Sequence, residues 1–226
     1  MMQVADILET PLFVVPGLSW AQFDPAWIMD DADPDTLCCD AGNHEILRVA
    51  LHRDLRMARP RRRREWLSGR LCAALALRRL GASEFVGMQG RAPCWPDRCT
   101  GSISHSPARV VAVAGRGFSG LGVDCELRLD AAAASLLAPA VLSPGDLRAR
   151  APWLGEADAV SVIFSAKEAL FKALSPQRCN LPDCRAVNVT CWRAATLDLC
   201  MDGHSWPVFW RCMGREVHTL AVTRES

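Results

Sequence analysis

Residues 161–174, SVIFSAKEALFKAL, predict a buried helix that carries charged side chains. At about 100° per residue, the apolar side chains form one stripe, and Lys167 falls inside it. Glu168 lies on the margin of the stripe, and Lys172 follows one turn later on the same side. The opposite face consists of small residues that allow close packing, namely Ala166, Ala169 and Ala173. A helix that is apolar nearly all round is normally buried, so its charges need partners or a ligand.

Lysine is rare in this chain, and both lysines lie in that one helix. Of the 26 basic residues, only Lys167 and Lys172 are not arginine. Lysine provides a compact, flexible ammonium ion, whereas arginine provides a planar group that forms paired hydrogen bonds. We infer that these two positions need the ammonium ion. An alternative interpretation is that both lysines reach solvent past the apolar stripe while Glu168 pairs with one of them.

A second group of charges lies in the strand predicted at 121–126. Its residues alternate between apolar and polar, so Asp124 and Glu126 project from the same face. Exposed charges on an ordinary solvated strand would produce the same pattern. If Glu168 approaches this face, three carboxylates and two ammonium groups surround one point. That arrangement is typical of a site for magnesium and a phosphate group.

The order of the predicted elements indicates an α+β (α/β) protein built from two halves. An amphipathic helix at 61–80 ends at a glycine, and residues 109–115 form a buried strand. The chain from 186 to 223 contains three or four short strands rich in valine, tryptophan, threonine and leucine. We expect the two halves to meet near residue 116. Residues 20–40 are acidic and interrupted by proline, which predicts a surface loop.

Two further stretches are suited to an anionic ligand. Residues 101–107, GSISHSP, predict a turn whose hydroxyls, backbone N–H groups and His105 imidazole form an anion cradle. A single histidine in a loop is, however, more often structural. The run Arg61–Arg64 places four cations at the positive end of a helix, although a solvated helix start would look the same. The sequence contains no Walker A, GxGxxG or GxSxG motif.

The composition argues against several classes of protein. A net charge of +1 provides no overall field that attracts nucleic acid or a membrane surface. No apolar run approaches the ~20 residues of a membrane-spanning helix, and we expect no secretory leader. The eleven cysteines are odd in number and scattered, so we expect a reducing cytoplasm. The pairs Cys94/Cys99 and Cys179/Cys184 lack the CxxC spacing of a zinc hook.

Five motifs in their order along the chain resemble one known family. They are REWLSGR at 64–70, GRAPCWP at 90–96, GSISHS at 101–106, GVDCE at 122–126 and FSAKEALFK at 164–172. Together they resemble the 4′-phosphopantetheinyl transferases, and within them the Sfp-like group associated with enterobactin synthetase. The resemblance covers about residues 60–175.

The resemblance implies a fold and an activity. The fold would consist of two similar, pseudo-two-fold-related α/β subdomains, at 1–115 and 116–226, with coenzyme A bound in the cleft between them and the metal site in the second. The protein would transfer the 4′-phosphopantetheine arm of coenzyme A to a serine of an apo acyl or peptidyl carrier protein, releasing 3′,5′-ADP. We expect a cytoplasmic, monomeric transferase of siderophore or other secondary-metabolite biosynthesis.

It also implies roles for the charged residues of the second half. Asp124, Glu126 and Glu168 would hold Mg²⁺ against the diphosphate of coenzyme A. Lys172 would neutralise the diphosphate as its bond breaks, and Lys167 would assist. Glu168, or a water molecule that it holds, would take the proton of the carrier serine.

The nucleotide end of coenzyme A would contact the first half. By resemblance, His105 with its neighbours Ser104 and Ser106 would contact the adenosine 3′-phosphate. Arg64 and Arg91 would support the same region.

The sequence departs from the family between the two strand acids. The family usually has isoleucine or a similar apolar residue there, and this chain has Cys125. The side chain of Cys125 points away from the predicted metal site, so we expect it to pack in the interior.

Three other interpretations remain open at this level. A degenerate homologue would bind coenzyme A or carrier proteins without transfer. A metal-dependent phosphohydrolase would use the same acids on a different substrate. A nucleic-acid-binding module would depend on Arg61–Arg64 alone, against a net charge near zero.

Overall fold

The computed structural model describes residues 2–3, 11–28, 33–40, 45–90, 92–147, 150, 153–175 and 183–224. The chain divides into two compact units, Met1–Gly117 and Phe118–Ser226. Both units combine helix and strand, which confirms the predicted α+β class. Among the described helices, none combines the length and apolar composition that crossing a membrane requires.

The N-terminal unit packs one long helix, α1 (Pro60–Arg79), against a small antiparallel sheet. Its described strands are β1 (Met2–Gln3), β2 (Leu18–Phe23), β3 (Thr36–Asp40), β4 (Ile46–Ala50), β5 (Gly87–Gln89), β6 (Ala92–Cys94), β7 (Thr100–His105) and β8 (Val110–Gly115). The sheet in the order β2-β8-β7 contacts α1, and the fully buried Phe23 and Leu71 belong to the shared core. The helix predicted at 61–80 and the strand predicted at 109–115 are confirmed.

Two loop predictions in this unit are wrong. Residues 20–40 contain parts of β2 and all of β3, and Phe23 is fully buried. Residues 101–105 belong to β7, and the turn lies at 106–109, where the Ser106 amide donates to the Arg109 carbonyl at 2.7 Å. Pairing with a neighbouring strand outweighs the weak strand propensity of small and polar residues: β2 and β7 pair with the apolar strand β8, and β3 pairs with β4.

The C-terminal unit is an antiparallel sheet covered by helices. Its described elements are β9 (Gly120–Leu127), α2 (Ala131–Val141), α3 (Glu156–Leu174), β10 (Asn188–Trp192), β11 (Thr196–Met201), β12 (His204–Met213) and β13 (Glu216–Thr223). The five strands follow the order β10-β11-β12-β13-β9. The strands predicted between 186 and 223 are confirmed, although β12 and β13 are long rather than short. Helix α3 packs across β9 and β13.

Two glycines of β9 allow α3 to lie unusually close to the sheet. A Cβ atom at Gly122 would lie 1.8 Å from the Ala169 carbonyl oxygen, and one at Gly120 would lie 1.9 Å from that of Ala173. The predicted close packing of the alanine face is therefore confirmed. Because α3 covers the polar face of β9, Asp124 is buried rather than solvated.

We expect Gly122→Ala to destabilise the protein by about 1–3 kcal/mol, because the new methyl group overlaps backbone atoms that cannot move independently. The free energy of unfolding in urea measures this effect. Gly87→Ala is the matched control, since its Cβ would meet nothing closer than 3.4 Å. Equal stability of the two variants would contradict the close contact between α3 and β9.

Candidate functional site

The predicted carboxylates come together where α3 crosses β9. Asp124 and Glu126 share one face of the strand, and α3 contributes Glu168. The pKa of Glu126 is raised to about 7, mainly by burial and with the negative charges of Asp124 and Glu168, against the opposing charge of Lys172. Burial and the charge of Asp124 likewise raise the pKa of Glu168. These three acids therefore lie close enough to repel one another.

Lys172 provides positive charge within this cluster. Its Nζ donates to Asp124 Oδ1 at 2.7 Å and to the Val123 carbonyl oxygen at 3.1 Å. The side chain of Lys172 is 31% exposed, whereas that of Asp124 is 4% exposed. The lysine thus connects a buried carboxylate to the surface of the unit. Lys172 forms an ion pair with Asp124, and its positive charge also acts to lower the pKa of Glu168.

The structure does not bring Lys167 to this cluster. The side chain is completely buried, and Nζ donates to Asp146 Oδ2 at 2.7 Å and to the Val141 carbonyl oxygen at 2.8 Å. It therefore does not snorkel to solvent, and its hydrogen bonds hold it away from a phosphate group. Asp146 gave no signal in the sequence, because it lies 21 residues away in an irregular connection.

Two hydroxyl groups of the site were not predicted. Ser165 Oγ donates to Asp124 Oδ2 at 2.8 Å, and Thr219 Oγ1 lies 2.9 Å from Ser165 Oγ. Ser165 stands inside the motif that carries the family resemblance, but its partner could not be read from the sequence. Thr219 lies opposite Asp124 only because β13 pairs with β9 in this register.

The donor set is chemically suited to Mg²⁺. Across the described residues, no group of three or more histidine, cysteine, aspartate or glutamate side chains is already arranged as a metal site. Carboxylate oxygens are nevertheless the ligands that this hard cation takes in proteins. Burial contributes most to the raised pKa of Glu126, and the neighbouring charges of Asp124 and Glu168 add repulsion that a cation would relieve. These residues therefore fit the ion that the resemblance implies.

Three of the four cysteines in the two closely spaced pairs lie among the described residues. Cys94, Cys99 and Cys184 are free thiols. Cys179 lies outside the described residues. Cys125 is fully buried in β9, which confirms its predicted packing role.

The residues predicted to contact the nucleotide lie in the N-terminal unit. Ser104 and His105 are neighbours in β7 and point to opposite faces of the strand. The His105 ring packs on α1, where a Cβ at Gly69 would lie 2.5 Å from Nε2. Ser106 Oγ accepts a hydrogen bond from the Ala108 amide at 3.2 Å and so stabilises the turn. The three residues do not form a single cradle.

Arg64 lies near the start of α1, at its fifth residue, and is exposed. It lines a cavity of about 200 Å³ together with Arg63 and Asp33. Arg63 pairs with Asp35 and donates to the Pro34 carbonyl oxygen at 3.2 Å. Arg91 lies outside the described residues.

Comparison with known proteins identifies the family. Residues 51–115 match the 4′-phosphopantetheinyl transferase N-terminal domain, and residues 120–222 match the 4′-phosphopantetheinyl transferase superfamily. Enterobactin synthase component D of Salmonella typhimurium is 35% identical over 186 residues, covering 81% of this chain and 76% of the relative. 4′-Phosphopantetheinyl transferase Svp of Streptomyces mobaraensis is 31% identical over 172 residues, covering 70% and 63%. 4′-Phosphopantetheinyl transferase Npt of Nocardia iowensis is 34% identical over 124 residues, covering 51% and 53%. The chain belongs to the 4′-phosphopantetheinyl transferase superfamily, as its motifs predicted.

Proposed function

We propose that this chain transfers the 4′-phosphopantetheine arm of coenzyme A to a serine of an apo acyl or peptidyl carrier protein in a Mg²⁺-dependent reaction. The observation that carries the proposal is the ion pair of Lys172 with the buried Asp124, beside two glutamates whose pKa values are raised. Such a cluster suits a diphosphate and a divalent cation, and it lies in the part of the chain that matches the superfamily.

Asp124, Glu126 and Glu168 would hold the metal ion. When bound, Mg²⁺ supplies positive charge to the phosphate oxygens, where phosphoryl-type transfer needs most stabilisation. Lys172 adds a second positive charge at the same place, and its partial exposure allows a substrate to reach it. Its ammonium ion has three hydrogen atoms to donate, enough to serve both Asp124 and a phosphate oxygen.

The chain must also accept a proton. The hydroxyl oxygen of the carrier serine attacks the β-phosphorus of coenzyme A, and the bond from that phosphorus to the leaving 3′,5′-ADP breaks. The serine proton goes to Glu168, directly or through one water molecule. Burial beside Asp124 raises the pKa of Glu168, which makes it a stronger base than an exposed glutamate. Lys167 takes no part in this step, because its side chain is completely buried in the ion pair with Asp146, whereas Lys172 is partly exposed.

We assign the nucleotide end of coenzyme A to the N-terminal subdomain, 1–115, and the reaction to the C-terminal subdomain, 116–226. Arg64 and Arg91 supply charge for the nucleotide phosphates, and His105 supplies a hydrogen-bonding ring. Support comes from the exposure of Arg64 at a helix start and from the packing of His105 against α1. Ser104 and Ser106 shape the strand end and the turn around His105.

The partners follow from the reaction. They are coenzyme A and an apo carrier protein, and we expect neither nucleic acid nor a membrane surface to bind, since the net charge is only +1. We propose a monomer that works in the cytoplasm. The free thiols of Cys94, Cys99 and Cys184 are compatible with that reducing compartment.

Intact-mass spectrometry of an apo carrier protein tests the proposed function. After incubation with the chain, coenzyme A and Mg²⁺, the carrier should gain one phosphopantetheine arm, and excess chelator should abolish the gain. Restoring Mg²⁺ to the chelated sample should restore it. A carrier whose acceptor serine is replaced by alanine is the control and should gain nothing.

Other outcomes separate the competing functions. Binding of coenzyme A with no mass gain on any of several carriers would favour a non-catalytic homologue. Release of free phosphate in the absence of a carrier would favour a phosphohydrolase. Either result would contradict the transferase proposal.

A further inference from the structure

The carboxylate of Asp124 is held from two sides. Lys172 donates to Oδ1, and Ser165 Oγ donates to Oδ2 at 2.8 Å. Ser165 is 0% exposed and Asp124 is 3% exposed, so water cannot replace this bond without opening the contact between α3 and β9. Ser165, together with Lys172, therefore fixes the orientation of the Asp124 carboxylate.

A second hydroxyl fixes Ser165 in turn. Thr219 Oγ1 lies 2.9 Å from both the Ser165 carbonyl oxygen and Ser165 Oγ. Each hydroxyl has one proton, and the proton of Ser165 is used by Asp124. Thr219 donates its own proton to the Ser165 carbonyl oxygen, and its Oγ1 lies against Ser165 Oγ, so Thr219 fixes Ser165 while Ser165 donates to Asp124. Thr219 is also 0% exposed.

This arrangement differs from the usual behaviour of a helical serine. Ser161, one turn earlier in α3, donates to the carbonyl oxygen of Ala157 at 2.8 Å and accepts from the Leu129 amide at 2.9 Å. Bonding to the fourth residue back satisfies a hydroxyl without outside partners. Ser165 has the same helical option but donates to a buried carboxylate instead. The side chain is thus directed at the site.

We propose that Ser165 and Thr219 are positioning residues that hold the Asp124 carboxylate in the orientation in which it binds a divalent cation. The inference depends on the proposed function, since it takes Asp124 as a metal ligand. Hydrogen bonds to a liganding group fix its orientation, and their loss typically lowers metal affinity by about 10- to 100-fold. Ser165 acts directly on Asp124, and Thr219 acts through Ser165.

Direct titration with Mn²⁺, followed by electron paramagnetic resonance, tests the proposal without requiring turnover. We expect Ser165→Ala to raise the Kd for Mn²⁺ by about 10- to 100-fold. Ser161→Ala is the matched control, because it removes a buried hydroxyl from the same helix without touching Asp124. Its Kd should equal that of the unmodified chain. Turnover measured against Mg²⁺ concentration should show the same shift in the Mg²⁺ requirement, with kcat recovered at high Mg²⁺.

Thr219→Val provides a second, independent variant of nearly the same shape. It should weaken Mn²⁺ binding several-fold on its own and add nothing in the Ser165→Ala background, because its effect passes through Ser165. If Ser165→Ala does not fold, Thr219→Val and Ser165→Thr, which keeps the hydroxyl, still decide the matter. Thr219→Val should then bind Mn²⁺ more weakly than Ser165→Thr.

Two results would overturn the inference, and they differ from a failure of the proposed function. The first is that Ser165→Ala binds Mn²⁺ as tightly as Ser161→Ala. If Ser165→Ala does not fold, the same result for Thr219→Val counts instead. Additive losses from Ser165→Ala and Thr219→Val would contradict the inference that Thr219 acts through Ser165. If the unmodified chain binds no Mn²⁺, with or without coenzyme A, the metal site itself is wrong.

Discussion

Glu168→Gln is expected to lower kcat by about 10²- to 10³-fold while the protein remains folded and still binds coenzyme A. Glutamine keeps the shape of glutamate and one oxygen that can coordinate a cation, but its amide cannot accept the serine proton. In the structure, burial and the charge of Asp124 raise the pKa of Glu168. The substitution therefore removes a carboxylate that is more basic than an exposed glutamate. Intact-mass time courses give kcat, and a thermal unfolding curve shows whether the variant is folded.

Glu156→Gln is the matched control for this variant. It makes the same substitution in the same helix. The Glu156 side chain is 72% exposed, and its Oε2 lies 3.8 Å from Nη1 of Arg150. We expect its turnover to equal that of the unmodified chain. Near-normal turnover in Glu168→Gln would remove Glu168 from the mechanism. An equal loss in both variants would point to a general weakening of α3.

The sequence was sufficient to predict elements whose pattern is local. The period of apolar residues located α1 and α3, and alternation located β9 with Asp124 and Glu126 on one face. The alanine face of α3 predicted a close contact, and Gly120 and Gly122 supply it. These features follow from residues a few positions apart, where helix and strand geometry leaves few choices.

The remaining features depend on contacts between residues far apart in the chain. Whether Lys167 or Lys172 faces the acids cannot be read from a helical wheel, because the answer depends on where Asp146 lies. Thr219 reaches Ser165 across 54 positions and only through the register of β13 with β9. The turn predicted at 101–107 became strand because β8 was available as a partner. Sheet pairing decides such cases, and a local pattern does not report it.

Lys167 has a structural role whose loss we expect to be severe. Its Nζ and Asp146 Oδ2 form an ion pair with side chains that are 0% and 1% exposed. Burial lowers the pKa of Lys167, although Asp146 opposes the shift. Burial alone would raise the pKa of Asp146, but hydrogen bonds from Lys167, Ser143 and the Val189 amide bring it below its usual value. The pair thus connects α3 to the start of β10 and to the segment after α2.

Lys167→Met is expected to lower the free energy of unfolding by about 3–5 kcal/mol, because it leaves the Asp146 carboxylate buried without a counter-charge. Urea unfolding measures the loss. Adding Asp146→Asn should recover part of it, since the amide is neutral and its oxygen still accepts from a backbone N–H. If the lysine stands outside the active site, coenzyme A and Mg²⁺ should stabilise Lys167→Met by the same increment as the unmodified chain. A Lys167→Met variant that keeps full stability but loses turnover would instead return Lys167 to the catalytic group.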